Sequence, residues 1–232
     1  VALFAQDRRN IEEGLYPAPD GVRVRDLPKA LRSARAFQSD VSEVDRRRVN
    51  RSGVEVRKSV DPADYPAYYR QNFHYQSGGW LSDDSARIYD TQVEALFTGA
   101  ADAMRRAALA ELSRDWQGKD QRKIRHLDLA CGTGRFLAET LKAFPRIQAT
   151  GMDLSPNYAA AAREAVSKWS QADVIEGMAE AIPLDDNSVD SVVSIFLFHE
   201  LPPKIRPLVI AVITRVLVPG GLFVFADSLQ IG

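Results

Sequence analysis

The run HLDLACGTGRFL, from His126 to Leu137, limits the possible folds more than any other part of this chain. A short apolar segment carrying one acid enters a Cys-Gly-Thr-Gly turn, and a helix-like pattern follows. After this point β-rich runs alternate with helical ones. Strands are expected at 124–129, 148–153, 173–176, 191–198 and 222–226, and helices at 135–143, 156–168 and 204–217. Such alternation implies an α/β fold, a mostly parallel sheet with right-handed crossovers and helices on both faces. Ser155 can cap the second helix, with Pro156 in its first turn. Pro207 falls early in the third helix or bends it, and "VPGG", Val218–Gly221, reads as a turn into the last strand.

Upstream of residue 121 the pattern differs. Residues 1–60 form a charged arm with little periodicity, and the basic cluster DRRRVNR, Asp45–Arg51, reads as a solvated face. Residues 61–120 hold an aromatic segment and a helix. PADYPAYYRQNFHYQSGGWLS, residues 62–82, suits a segment covering something flat or apolar, and equally one simply docked on the core. Ser82 is placed to cap a helix beginning near Ser85, whose apolar face would carry Tyr89, Val93, Leu96, Ala100, Met104 and Ala107. Gly99 would kink or split it. Residues 121–232 are then the ligand-binding domain.

Composition narrows the function. A net charge of −1 gives no polyanion-binding signature, so no nucleic-acid partner is expected. A single cysteine, Cys131, rules out an internal disulfide framework and reads as a small packed residue. No apolar run approaches the roughly 18 residues of a membrane span and no leader opens the chain, so a soluble, cytoplasmic protein is expected.

In sheets of this kind a ligand sits beyond the carboxyl ends of the strands, where the strand order reverses. Gly132 and Gly134 let the backbone turn and approach it, and the following helix presents unpaired N–H groups. A nicotinamide enzyme would share these features. Its G-x-G-x-x-G pattern, however, requires glycine where Leu137 stands. A pyrophosphate would also be repelled by Asp128, whereas an ammonium group would be attracted. Asp153, ending the second strand, can accept the hydroxyls of a ribose. An adenosine bearing an amino-acid tail meets all these demands, and S-adenosylmethionine is such a molecule.

The segments LDLACGTGRFL, GMDLS, GMAEAIPLDDNSVDSVVSIFLFHEL and VLVPGGLFVFAD resemble the successive motifs of class I S-adenosylmethionine-dependent methyltransferases. They are most similar to the small-molecule branch that includes quinone-biosynthesis enzymes. The resemblance covers the chain from Ile124 onward and implies a Rossmann-like fold. It places Asp128, Ala130, Gly132 and Gly134 around the methionine end of the cofactor, and Asp153 at the ribose. Met152 and Leu154 would lie beside the adenine, with Met178, Ala179 and Glu180 following the third strand and Phe196 at the end of the fourth. Met178 stands where the family usually has the Asp that binds the adenine amine, so that contact must be lost or come from elsewhere.

The acceptor side falls at FLFHELPP, Phe196–Pro203. His199 is a candidate general base, a substrate hydrogen-bond donor, or a structural residue of the loop. Tyr75, Trp80 and Tyr89 are the candidate lid and substrate contacts, pointing to a small, flat or apolar acceptor. No metal site is expected. The alternatives are a cofactor-binding protein without turnover and, less favoured, a nicotinamide-dependent oxidoreductase. The family's sheet has seven strands. The natural protein is therefore expected to continue beyond Gly232, or a partner or second copy to cover the edge of the fifth strand.

Overall fold

The computed structural model describes residues 2–20, 65–70 and 80–227. They fall into two compact units, one joining 1–18 to 98–232 and the other formed by 19–97. In the second unit, helix α2 (Asp83–Leu96) starts at Ser82, whose side chain accepts from Ser85 N at 3.1 Å. Two acids, Asp83 and Asp84, occupy its first turn, where the helix dipole favours them.

The larger unit opens with a helix, α1 (Ala2–Glu12), in the stretch read as a charged arm. Its charged residues hide a specific dock: Asp7 is buried and accepts from Arg106 Nε at 2.8 Å and Nη2 at 2.7 Å. Arg106 lies on α3 (Ala101–Trp116). The helix expected to run through Gly99 is split, because Thr98 (φ 50°) and Gly99 (φ 80°) are both left-handed. The restart also changes the phase of the apolar face. Ala107 is exposed and Met104 half-buried, whereas Arg105, Arg106, Leu109 and Leu112 are buried.

Strands β1 (Arg125–Leu129), β2 (Gln148–Asp153), β3 (Ala172–Glu176), β4 (Val189–Ile195) and β5 (Leu217–Ala226) form one parallel sheet in the order β3-β2-β1-β4-β5. Helices α4 (Arg135–Ala143), α5 (Pro156–Val166) and α6 (Arg206–Val216) make the crossovers. This is the Rossmann-like architecture, with its reversal of strand order between β1 and β4.

Central β1 is buried on both faces, as parallel strands are. Leu127 and Leu129 point one way; His126 and Asp128 point the other. Trp116 of α3 meets His126 edge-on at 5.2 Å between ring centroids, so α3 covers the His126/Asp128 face. Burial drives the His126 pKa down to about 3, and Nδ1 bonds Ser191 Oγ at 2.9 Å, so this histidine is a neutral core residue.

Several element ends differ from expectation. β4 begins two residues earlier than expected, at Val189, and stops at Ile195, because Phe196 takes φ 60°. The VPGG segment is an irregularity inside β5: Val189 pairs with Leu217, and the register then jumps so that Ser191 pairs with Leu222. Pro207 sits in the first turn of α6, where its missing N–H costs nothing. Among the described residues β5 pairs only with β4, and Phe225 on it is exposed. No helix among them is long and apolar enough to cross a membrane.

Candidate functional site

The site is built where β1, β2 and β4 end. After Leu129 the chain turns through Ala130 (φ 60°), Gly132 (φ 56°) and Gly134 (φ 75°) into α4. A non-glycine residue held at positive φ stores strain, and both Ala130 and Phe196 do so at neighbouring strand ends. Gly134 is required twice over. Its φ is left-handed, and an added Cβ would lie 2.9 Å from Ala162 Cα, because α5 packs directly on the turn.

The absent third glycine has a structural counterpart on the adjacent strand. Gly151 of β2 has no Cβ, and one built there would lie 2.8 Å from Leu137 Cδ2 and 2.9 Å from Cys131 Sγ. The room that glycine in the helix would provide in a dinucleotide-binding turn is supplied here by the strand, and Leu137 fills it. Burial pushes the Cys131 thiol well above its ordinary range, so it is a packed, unreactive group.

Asp153 ties the two strand ends together. Its Oδ2 accepts from Gly132 N and its Oδ1 from Ser155 N, both at 2.9 Å. Ser155 in turn caps α5 by accepting from Tyr158 N at 3.3 Å. The Asp153 carboxylate thus fixes the glycine turn and keeps lone-pair capacity for a hydroxyl. Burial raises its pKa to about 6 despite those backbone donors.

Asp128 is 2% exposed, and its Oδ2 has no hydrogen-bond partner. Burial, followed by the neighbouring Asp153 charge, raises its pKa to about 7, while Arg105 pulls it down. A buried carboxylate oxygen without a donor costs free energy unless a ligand supplies one. A cationic amine fits that requirement.

Of the other expected cofactor residues, Met152 is buried in the core with its Cε directly under Gly177, and Leu154 is half-buried. Met178 is 37% exposed at the start of a short 3-10 turn, Ala179–Ala181, that also carries Glu180. Trp80 and Tyr89 belong to the smaller unit, and Tyr75 lies outside the described residues.

His199 follows β4 and is held from two sides. Asp227 bonds its Nδ1 at 2.5 Å and its backbone N–H at 3.1 Å, and Glu200 bonds Nε2 at 3.0 Å. These bonds, Asp227 first, raise its pKa to about 9. At neutral pH the ring is therefore an imidazolium with both N–H groups donated to carboxylates. That is the arrangement of a structural clamp between the β4 and β5 ends. The sequence revealed the histidine but not Asp227 as its partner, because that contact spans two strands.

Among the described residues no group of three or more His, Cys, Asp or Glu is arranged to hold a metal ion. The parallel sheet, its strand-order reversal and the glycine turn are similar to those of class I S-adenosylmethionine-dependent methyltransferase domains. Residues 127–221 match the methyltransferase domain family. The chain is 34% identical to the demethylmenaquinone methyltransferase of Chlorobaculum tepidum over 144 residues, covering 61% of this chain and 55% of that one. Against the enzyme of the same name from Staphylococcus aureus it is 32% identical over 105 residues, covering 45% and 43%. The chain thus spans about half the length of the curated relatives it matches. A solved structure from Methanococcus maripaludis, described as a candidate S-adenosyl-L-methionine-dependent methyltransferase, superposes with a TM-score of 0.50. It is 17% identical, covers 63% of this chain and 64% of that one, and shows the shared fold alone.

Proposed function

We propose that this chain binds S-adenosylmethionine at the β1 turn and transfers its methyl group to a small, flat or apolar acceptor. The observation that carries the reading is the pairing of an orphaned, buried Asp128 oxygen with the Gly132–Gly134 turn and the Asp153 carboxylate at one strand-order reversal. The cofactor supplies an activated methyl group bonded to a sulfonium sulfur. Asp128 would accept from the ammonium group of the cofactor, the turn would admit its backbone, and Asp153 would accept from ribose hydroxyls. The chain's remaining task is to align the acceptor and exclude water. His199 serves this by clamping the acceptor-side loop rather than by accepting a proton.

The relatives named as demethylmenaquinone methyltransferases support a quinol-like ring as acceptor. The test is to incubate the chain with methyl-labelled S-adenosylmethionine and a demethylated naphthoquinol, beside an extract of small metabolites. Label in the quinol supports the reading. Binding without transfer to any acceptor would leave a cofactor-binding protein without turnover.

A further inference from the structure

S-adenosylmethionine has three parts in a row: an amino-acid end, a ribose and a purine. The strand order fixes where each falls. Asp128 stands on β1 and Asp153 ends β2, so a ligand that touches both has its third part beyond the end of β3, the next strand in the sheet. The β2 and β3 ends are joined there. Asp153 pairs in register with Glu176, and the Gly177 N–H donates to the Asp153 carbonyl at 3.0 Å. The surface that follows is apolar. A Cβ built on Gly177 would lie 3.3 Å from Met152 Cε, so the Met152 thioether underlies this glycine. Met178 comes next, 37% exposed, at the entrance to the 3-10 turn Ala179–Ala181. The carboxylate at the end of β3 is engaged elsewhere, since Glu176 Oε1 accepts from Nη1 and Nη2 of Arg163 on α5, both at 3.0 Å.

The purine of adenosine carries a 6-amino group, a donor of two hydrogen bonds. Reading it takes a good acceptor, and a methionine sulfur is a weak one. A partly exposed side chain also lets water take those hydrogen bonds, so an unread amine costs the ligand little. A site that does bond such an amine rejects the analogue lacking it, because its own polar group is then left unpaired. We infer that this pocket does not read position 6 of the purine, and that Met178 is the residue that sets this tolerance. A ligand without the amine then binds as well as one that has it. The inference rests on the S-adenosylmethionine reading and goes beyond it, because it concerns which purines the site accepts.

Titration calorimetry with S-adenosylhomocysteine and with its 6-deamino analogue, in which hydrogen replaces the amine and the ring nitrogens are unchanged, tests this. The unaltered chain should bind the two within about threefold of each other, less than one typical hydrogen bond. Met178→Asp places a carboxylate at the same position. It should create a preference of about tenfold or more for the ligand bearing the amine, the range of a hydrogen bond to a charged group. Binding of the deamino ligand by that variant also reports an intact fold. If Met178→Asp does not fold, Met178→Asn, with a neutral acceptor, should show a smaller preference in the same direction. A preference well above threefold in the unaltered chain would overturn the inference while leaving the cofactor reading in place, and its loss in Glu180→Gln would assign the purine edge to Glu180 instead. No new preference in the Met178 variants would overturn the role of Met178. An unaltered chain that binds neither ligand would overturn the cofactor reading as well.

Discussion

Arg106 grips Asp7 through two hydrogen bonds across 99 residues of sequence, with both side chains about 10% exposed. Tyr16 adds a third contact, its hydroxyl donating to Asp7 Oδ1 at 2.9 Å, so the N-terminal helix is docked by a satisfied buried network. Removing one member of a buried pair leaves the other charge uncompensated. Asp7→Ala is therefore expected to destabilise the chain by about 3 kcal/mol. Glu12→Gln, which breaks the exposed Arg8–Glu12 pair on the same helix, should leave the denaturation midpoint unchanged. Urea unfolding of both variants checks this, and equal effects would refute it.

Cofactor affinity should rise with pH. Asp128 and Asp153 have folded pKa values of about 7 and about 6, above the ordinary carboxylate value, so burial favours their neutral forms. Between about pH 4 and pH 7 the unfolded chain has already lost these protons, and stability falls as pH rises through that window. A ligand that needs the ionised carboxylates binds with proton release. From pH 5.5 to 7.5 its affinity should increase at least about tenfold. Calorimetry in buffers of different ionisation enthalpy reads the released protons, and a flat profile would contradict the assignment.

His199 behaves in the opposite sense. Its folded pKa of about 9 lies above the unfolded value, so its contribution to stability is fully present below about pH 6.5. That contribution is lost as pH rises through 9. Unfolding midpoints measured from pH 6 to 10 should decline in the native chain and decline less in His199→Gln. Methyl transfer should also show no loss of rate on lowering the pH through 6.5 that disappears in His199→Gln, since the ring is already protonated there.

Leu137 and Gly151 should be energetically coupled. Gly151→Ala places a methyl group 2.8 Å from Leu137 Cδ2, and overpacking of that kind costs about 1–3 kcal/mol. Leu137→Ala alone opens a cavity and costs about 2–5 kcal/mol. The double variant should be more stable than the sum of the two losses predicts, by about 1 kcal/mol. A double-mutant cycle by denaturant unfolding measures the difference, and strict additivity would count against the packing described.

Asp153→Ala should weaken S-adenosylmethionine by about 1.5–3 kcal/mol through loss of charged-acceptor hydrogen bonds. The same change frees Gly132 N, so the turn should also exchange its amide hydrogens faster. Unchanged affinity in calorimetry would remove Asp153 from the site.

The sequence by itself determined the alternating elements, the parallel sheet, the acids Asp128 and Asp153 near strand ends and the glycine turn through Gly134. These are readable because period, turn residues and strand-end acids are local signals. Tertiary structure decided the rest. Arg105 reads as an ordinary charged position on an amphipathic helix until α3 lays it over β1. Asp7 reads as part of a solvated arm until Arg106 meets it. His199 reads as a possible base until Asp227, carried in by the neighbouring strand, turns it into a held imidazolium. In each case the property depends on a charge or packing partner distant in sequence. Burial and charge pairing are set by three-dimensional proximity, which no local pattern of residues encodes.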